Sequence, residues 1–242
     1  MIVAQTASGP VIPHYGAGSK CVVENHTFCW GWVNAHWGDT LQPALVQHIE
    51  LTGIAVGIGF AIAFSAALVA YRRRWLSGPI EGFSAVLYTI PSLALFQILV
   101  PFTGITTTTV EVALVAYTLV MLFPNIVAGL NAVPAEALDV ARAMGFTRRQ
   151  TLLRVELPLA LPAIVAGLRV AVVSTVSLAT IAAFLLPKGL GYPIFLALKE
   201  PSPFRTEIYS AGALAVALAL TADLLLVATR RVLAPWARRS AA

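Results

Sequence analysis

The sequence predicts an all-α membrane protein that crosses the bilayer about five times. Of its 242 residues, 58% are hydrophobic and only 11% are charged, which is too little charge to cover a water-soluble domain of this size. Five apolar stretches each reach the roughly 20 residues that a helix needs to span the hydrocarbon core. The basic residues stand in short clusters at the ends of these stretches, so they indicate membrane topology rather than a nucleic-acid surface.

Four of the five predicted spans are nearly uninterrupted apolar runs, but the second is not. That run contains Thr89, Pro91, Ser92 and Gln97, which predicts a kinked or broken helix that faces protein rather than lipid. The predicted spans are 51–71, 83–101, 111–130, 163–186 and 208–229.

The distribution of Lys and Arg predicts the orientation, because loops on the cytoplasmic side retain these residues. With the N-terminus outside, eleven basic residues lie on the inner side and four on the outer side, and the opposite orientation inverts this bias. We therefore expect a membrane domain over residues 51–230 and a basic cytoplasmic tail over 231–242. The inner residues are Arg72, Arg73, Arg74, Arg142, Arg148, Arg149, Arg154, Arg230, Arg231, Arg238 and Arg239, and the outer ones are Lys20, Lys188, Lys199 and Arg205.

Residues 1–50 are predicted to form an extracytoplasmic segment of the mature protein, because they lack the charge and apolar pattern of a secretory signal. Residues 41–50 are expected to form a short amphipathic helix on the membrane surface, with Trp30, Trp32 and Trp37 suited to the interface.

The two cysteines, Cys21 and Cys29, lie in this same segment. A disulfide between them can persist outside the cytoplasm, and the sequence leaves the bonded and free forms open. Four histidines accompany them, but their spacings match no compact ligand motif, so we predict no metal site. These histidines are His14, His26, His36 and His48.

The loop between the third and fourth spans, residues 131–162, is too polar to cross the membrane. Its residues predict two short helices. Pro134 suits the first helical position, and Gly145 can adopt the left-handed conformation that stops the first helix. Thr147 and Gln150 form a capping box for a second helix, which Pro158 is expected to end. The loop carries four arginines and several apolar residues, a combination that needs a partner.

The spacing within this loop resembles the conserved cytoplasmic loop of ABC importer permeases. That pattern is Glu-Ala-Ala, three residues, Gly, nine residues, Ile, one residue and Leu-Pro; here Asp139-Val140-Ala141, Gly145, Val155 and Leu157-Pro158 stand at the same intervals. The resemblance implies the type I importer permease fold and a coupling helix that docks on a separate ATPase subunit. The residues it assigns to coupling are Glu136, Asp139, Ala141, Arg142, Met144, Gly145, Phe146, Arg148, Val155, Leu157 and Pro158.

The resemblance extends over about residues 45–200 and is strongest to permeases for glycine betaine, carnitine and choline. The runs Thr89-Ile90-Pro91-Ser92-Leu93-Ala94-Leu95 and Gly189-Leu190-Gly191 carry it. Methionine-type permeases share the five-helix fold, so an amino-acid importer is the alternative substrate class. An ion-coupled secondary transporter is a further alternative, although such proteins usually place carboxylates at mid-membrane.

The same resemblance implies the partners and the location. A second permease copy or a sister permease, two ATP-binding subunits and an extracytoplasmic solute-binding protein would complete the importer in the plasma (inner) membrane. The chain itself would not be an enzyme and would hold no cofactor, because ATP and Mg²⁺ bind to the partner ATPase.

Polar residues within the spans are candidates for the translocation pathway. Each of them could instead pack helices together, and the sequence leaves both roles open. The candidates are Tyr88, Ser92, Gln97, Asn125, Ser174, Ser177 and Thr180.

Two ionisable residues, Arg169 and Asp223, lie inside predicted spans. Each is about six residues from the cytoplasmic end of its helix, so both sit roughly 9 Å deep and could pair. A structural salt bridge and a role in gating are both compatible with the sequence.

Overall fold

The computed structural model describes residues 20–236, apart from the side chain of Arg74. Predictions that involve His14, Arg238 and Arg239 lie outside the described residues. The regular elements over 20–236 are all helical. The α-helices are α1 (Lys20–Val23), α2 (Trp30–Ala35), α3 (Gln42–Arg72), α4 (Ser77–Thr89), α5 (Ser92–Thr103), α6 (Thr107–Asn131), α7 (Ala135–Ala143), α8 (Arg148–Thr151), α9 (Leu157–Ile181), α10 (Gly191–Lys199) and α11 (Arg205–Leu233).

Four continuous helical stretches in the described part are long and apolar enough to cross a membrane, and a bent helix pair raises the number to as many as five. This agrees with the predicted all-α fold of about five spans. The four stretches are Trp37–Arg72, Thr107–Asn131, Arg148–Phe184 and Arg205–Leu233.

The fifth candidate span is broken, as its polar and proline residues predict. Helices α4 and α5 meet at an angle of 101°. The break lies at Ile90 and Pro91, which are both extended, because a residue that precedes proline is disfavoured in the helical region. The hydroxyl of Tyr117 donates a hydrogen bond to the Ile90 carbonyl, so the bend does not leave this oxygen without a partner.

The first long helix begins earlier than predicted. A π-helical turn, Trp37–Leu41, leads directly into α3, so residues 41–50 are the first turns of the span and not a separate surface helix. Pro43 lies in the first turn, where it favours helix initiation, and no helix-stopping residue separates it from the apolar run. Leu41 and His48 are fully buried, which ties these turns to the bundle.

The prediction that Pro158 ends the second loop helix is also wrong. In a regular helix its ring would clash with the carbonyl of Arg154. A π-helical turn, Leu152–Glu156, precedes it, and the N–H of Leu157 bonds to the carbonyl of Leu152, five residues back. The wider turn makes room for the proline, so α8, the π turn, α9 and a final 3-10 turn (Ala182–Phe184) form one continuous helix of 37 residues, Arg148–Phe184.

The central bundle of α3, α6 and α9 is held by close approaches at small residues. A methyl group at Gly59 would lie 2.6 Å from the Thr118 side chain, and one at Gly167 would lie 2.5 Å from Asn125 Cβ. Thr118 and Thr175 share a buried hydrogen bond of 3.1 Å between α6 and α9. Small residues that let helix backbones approach are typical of membrane helix packing.

The bundle has two ends, which we name by their contents. At the loop end, the hydroxyl of Tyr71 donates to Glu156 Oε1 at 3.2 Å and joins the last turn of α3 to the loop helices. At the cap end, residues 20–41 form a cap that covers the start of α11. The chain thus runs from the cap end to the loop end in α3, α6 and α11, and in the opposite direction in α9.

The cap is closed by a disulfide between Cys21 and Cys29. The backbone N–H of Cys29 donates to Thr206 Oγ1 at 3.0 Å, and the Asn25 amide donates to the Pro203 carbonyl at 2.9 Å. The prediction that Trp32 lies at the interface is wrong, because its ring is buried against Phe204 with 5.2 Å between centroids. Trp30 and Trp37 are exposed, as interfacial residues would be.

Candidate functional site

The first loop helix ends as the position of Gly145 predicts. Pro134 is the N-cap of α7, one position before the expected start, and Gly145 has a φ of +75°. The N–H of Phe146 bonds to the Ala141 carbonyl at 3.0 Å and the N–H of Gly145 to the Arg142 carbonyl at 2.9 Å. This pair of bonds is a Schellman motif, which needs a left-handed residue at its centre. Gly145 therefore sets a sharp, fixed angle between two helices.

The second loop helix begins with the predicted capping box. The N–H of Gln150 donates to Thr147 Oγ1 at 3.3 Å, and the Gln150 side chain accepts from the N–H of Thr147 at 2.8 Å. Because this helix continues without a break into α9, the loop is joined rigidly to a membrane span. A displacement of the loop would therefore be carried along that span.

The loop buries one apolar face and exposes another. Ala141 is 2% exposed and Leu152 8%, and Leu152 packs into the core of the bundle. Val140, Met144 and Leu153 are exposed, at 59%, 66% and 51%. Large apolar side chains that project from a loop outside the spans are typical of a surface that a partner covers.

Charged residues of the loop are exposed as well. Asp139 and Arg142 form an exposed pair at 3.1 Å, and Glu136 lies exposed in the first turn of α7. The guanidinium of Arg154 lies 5.9 Å from the centroid of the Phe146 ring, within the range of a cation–π contact. Arg148 is exposed, while Val155, Leu157 and Pro158 are half-buried along the continuous helix.

A cavity of about 550 Å³ opens between the loop and the end of α3. Three arginines line it, and its one acid, Glu156, already accepts the hydrogen bond from Tyr71. The cavity is thus basic. Sequence reasoning did not place Tyr71 or Arg72 at this site, because the contact joins residues 85 positions apart. The lining residues are Tyr71, Arg72, Leu138, Arg142, Phe146, Arg148, Thr151, Leu152 and Glu156.

The pathway candidates on the broken span and on α6 lie mostly on exposed faces of the single chain. Tyr88 is 65% exposed near the end of α4, Ser92 is half-buried at the start of α5, and Gln97 is exposed. Asn125 is exposed as well, and its amide donates to the Met121 carbonyl at 2.7 Å. Such positions fit a passage between this chain and another permease chain, but also fit packing between the two.

The candidates on α9 follow one side of that helix. Ser174 and Thr180 are half-buried and Ser177 is exposed. The hydroxyls of Ser177 and Thr180 donate to carbonyls four residues earlier, at 3.2 Å and 3.1 Å, so neither requires a solute to satisfy it. Lining and packing roles both remain compatible with these contacts.

Arg169 and Asp223 form the ion pair that the sequence suggested. Two parallel hydrogen bonds join the guanidinium to the carboxylate, and both side chains are partly exposed. The pair links α9 to α11 and lies apart from the loop that α7 and α8 form.

The chain matches the family model described as "Binding-protein-dependent transport system inner membrane component" over residues 53–239. Curated relatives are permeases. The osmoprotectant import permease protein OsmW of Salmonella typhimurium is 34% identical over 81% of this chain and 92% of its own length. The choline transport system permease protein OpuBB of Bacillus subtilis is 33% identical over 82% and 90%, and the carnitine transport permease protein OpuCB of Listeria monocytogenes is 32% identical over 84% and 93%.

Solved structures show the same fold at lower sequence identity. A chain of the MetNI methionine ABC transporter in an inward-facing conformation superposes with a TM-score of 0.73 at 19% identity, over 83% of this chain and 98% of that one. A chain of an amino acid ABC transporter crystallised with histidines gives a TM-score of 0.67 at 19% identity, over 82% and 96%. The chain therefore belongs to the family of binding-protein-dependent transport system inner membrane components and is a multi-pass permease subunit of an ABC importer.

Proposed function

We propose that this permease imports a small quaternary ammonium osmoprotectant, such as glycine betaine, carnitine or choline. The observation that carries the proposal is the set of relatives at 31–36% identity over most of the chain, whose names specify osmoprotectant, choline, carnitine and glycine betaine transport. A zwitterion or compact cation of this kind needs a passage with neutral polar walls rather than a fixed counter-ion. The hydroxyl and amide candidates on α5, α6 and α9 are of that chemistry.

We infer that the loop of α7 and α8 is the element through which ATP hydrolysis on two partner subunits drives transport. Its exposed apolar residues and its basic cavity offer a partner both apolar contact and positive charge. The Schellman turn fixes the angle of α7 against α8, and α8 continues as a helix of 37 residues, about 55 Å long at 1.5 Å per residue. We call this continuous helix, Arg148–Phe184, the lever. Because it is rigid, it would carry a movement of the loop to the cap end. ATP and Mg²⁺ would be bound by the partner and not by this chain.

A cross-link tests this contact. Met144 is exposed and lies beside Gly145, so Met144→Cys should cross-link to a cysteine on the ATPase subunit. The two native cysteines are already bonded to each other and would not compete. Tyr209→Cys is the matched control, because Tyr209 is also exposed but lies at the cap end, and it should give no cross-link. Equal cross-linking of both variants would remove the coupling role of the loop.

We propose further that the cap end lies outside the cytoplasm and the loop end inside. The arginines of the loop and of the helix ends around it support this orientation through their preference for the cytoplasmic side. The disulfide in the cap supports it independently, because disulfides persist outside the reducing cytoplasm. A solute-binding protein would then deliver its solute at the cap end, and a second permease chain, identical or a sister, would complete the passage.

The substrate class is tested by direct binding to the purified solute-binding protein of the same importer. The panel contains glycine betaine, carnitine, choline and methionine. We expect selective binding of the quaternary ammonium compounds, which an aromatic cage holds through cation–π contacts. Selective binding of methionine would favour the amino-acid importer instead, while leaving the permease fold and the coupling loop unaffected.

A further inference from the structure

At the cap end, the side chain of His48 is completely buried between three elements of the chain. Its Nδ1 accepts a hydrogen bond from the backbone N–H of Leu190 at 3.1 Å, and its Nε2 lies 3.1 Å from the Val176 carbonyl on α9. A carbonyl oxygen can only accept, so Nε2 carries the proton, and Nδ1 must be without one because it faces an N–H. Both contacts together are satisfied only by the neutral imidazole with its proton on Nε2.

Gln47, the preceding residue of α3, holds the neighbouring peptide. Its Oε1 accepts from the backbone N–H of Gly189 at 3.1 Å. Two consecutive side chains of α3 therefore bind two consecutive N–H groups of the turn that joins α9 to α10. Gly189 has a φ of +72°, and a methyl group there would lie 2.9 Å from His48 Nδ1. This contact gives a physical reason for the first glycine of the Gly189-Leu190-Gly191 motif.

The turn stands at the far end of the lever that begins at the coupling loop. The continuous helix ends at Phe184, and α10 starts at Gly191, immediately after the two peptides that Gln47 and His48 hold. Movement of the lever relative to α3 must therefore either carry α3 with it or break these hydrogen bonds. The position of α10 at the cap end depends on which of the two occurs.

We propose that Gln47 and His48 are positioning residues that form a latch between α3 and the turn before α10, and that the latch holds only while His48 is neutral. The role of the latch in transport rests on the proposed coupling function; the latch itself rests on the contacts at the cap end. A proton added to Nδ1 would place two N–H groups against each other and leave a buried charge without a counter-ion.

The titratable side chains on the surrounding elements do not compensate such a charge. They are Glu50 on α3, Lys188 in the turn, Tyr192 on α10 and Glu207, which is buried in the first turn of α11, and none of them hydrogen-bonds to His48 among the contacts of the described residues. Along α9, the segment around Val176 offers hydroxyls and a carbonyl oxygen only. Protonation is therefore accommodated when the latch opens and the imidazole reaches water. The latch should be closed at high pH and should open as the pH falls through the range in which exposed histidines titrate.

A spin label tests the latch without transport. The nitroxide is attached at Lys188→Cys in the complete importer held in nanodiscs, and its mobility is measured by EPR at about pH 7.5 and about pH 5.5. Because an exposed histidine with a pKa of about 6.5 is mostly protonated at the lower pH, the ratio of mobile to immobile label should rise about tenfold. An unchanged ratio in the otherwise native protein would overturn the proposal and needs no substitution at His48.

Two substitutions separate protonation from packing. Asparagine in His48→Asn can still accept from the Leu190 N–H but does not titrate, so the ratio should become independent of pH. His48→Ala removes both hydrogen bonds and should raise the ratio about tenfold at both pH values. His26→Asn is the matched control, because His26 is exposed in the cap, and it should keep the native pH response. A pH response that persists in His48→Asn would assign the effect to another group and contradict the latch.

The outcomes distinguish the latch from the proposed function. Uptake of an osmoprotectant with no change in label mobility would leave the permease function and remove the latch. The expected mobility change without osmoprotectant uptake would keep the latch and remove the substrate proposal.

Discussion

The guanidinium of Arg169 and the carboxylate of Asp223 lie side by side, with Nε 2.7 Å from Oδ1 and Nη2 2.9 Å from Oδ2. This two-point contact joins α9, which is part of the lever, to α11. The buried residues of α11 all lie in its first turns, at Thr206, Glu207, Ser210 and Ala211, so the pair lies well beyond the part of α11 that is packed most deeply. Arg is suited to such a contact, because its planar fork matches a carboxylate. The pair is thus a polar contact between α9 and the second half of the last span.

Removing one charge of this pair should loosen α11. Asp223→Asn leaves the guanidinium without its counter-ion, and we expect a lower midpoint of thermal unfolding in detergent. Arg169→Asp combined with Asp223→Arg should recover part of the loss. Thr221→Ala is the control, because Thr221 is exposed and its hydroxyl donates to the Leu218 carbonyl of its own helix. Unfolding midpoints that are the same for Asp223→Asn and the control would show that the pair does not hold α11.

Reduction of the disulfide should destabilise the cap. Cys21 and Cys29 are eight positions apart, and closing a loop of this size stabilises the folded state by about 2–3 kcal/mol. We expect Cys21→Ser with Cys29→Ser to expose the cap to protease well before the rest of the chain. The cap's hydrogen bonds to Thr206 and Pro203 would weaken with it. Cleavage at the same rate with and without reductant would contradict this expectation.

A side chain at Gly167 should force α6 and α9 apart. A methyl group there would lie 2.5 Å from Asn125 Cβ, a distance at which a neighbouring backbone must shift. Overpacking of this kind costs about 1–3 kcal/mol, so Gly167→Ala should lower the unfolding midpoint. Gly53→Ala is a matched control, because a methyl group at Gly53 meets nothing within 4 Å. If Gly167→Ala is as stable as Gly53→Ala, the close approach of the two helices is incorrect.

A bulky residue at Gly145 should uncouple ATP hydrolysis from transport. The left-handed φ of +75° is strained for valine, so Gly145→Val would change the angle between α7 and α8. We expect uptake to fall while the ATPase subunit still hydrolyses ATP but is no longer stimulated by the loaded binding protein. Gly57→Val, at an open position within α3, should retain coupling. Full uptake with normal stimulation in Gly145→Val would exclude the coupling role of this turn.

The sequence was sufficient for features that depend on neighbouring residues. The capping box of Thr147 and Gln150 and the stop at Gly145 follow from local hydrogen bonding, and both are present. Long apolar runs are also a local signal, which is why the spans and the break near Pro91 could be predicted.

Features that depend on distant partners could not be predicted in this way. Pro158 is accommodated by a preceding π turn, a compensation that composition does not reveal. Trp32 looks like an interfacial residue until Phe204 covers it, and His48 meets Leu190 across 142 positions. The contact of Tyr71 with the loop is of the same kind. For Trp32, His48 and Tyr71 the deciding interaction joins segments that only the folded bundle brings together, whereas the π turn before Pro158 is a local adjustment of the helix.

The most direct test of the central claim is uptake of labelled glycine betaine, choline and carnitine into proteoliposomes that contain this permease, its ATPase subunits and its binding protein. We predict uptake that requires ATP on the side of the loop end and the binding protein on the side of the cap end. It should be inhibited by the other quaternary ammonium compounds and not by methionine. Uptake of methionine in their place, or uptake driven by an ion gradient without ATP, would contradict the account.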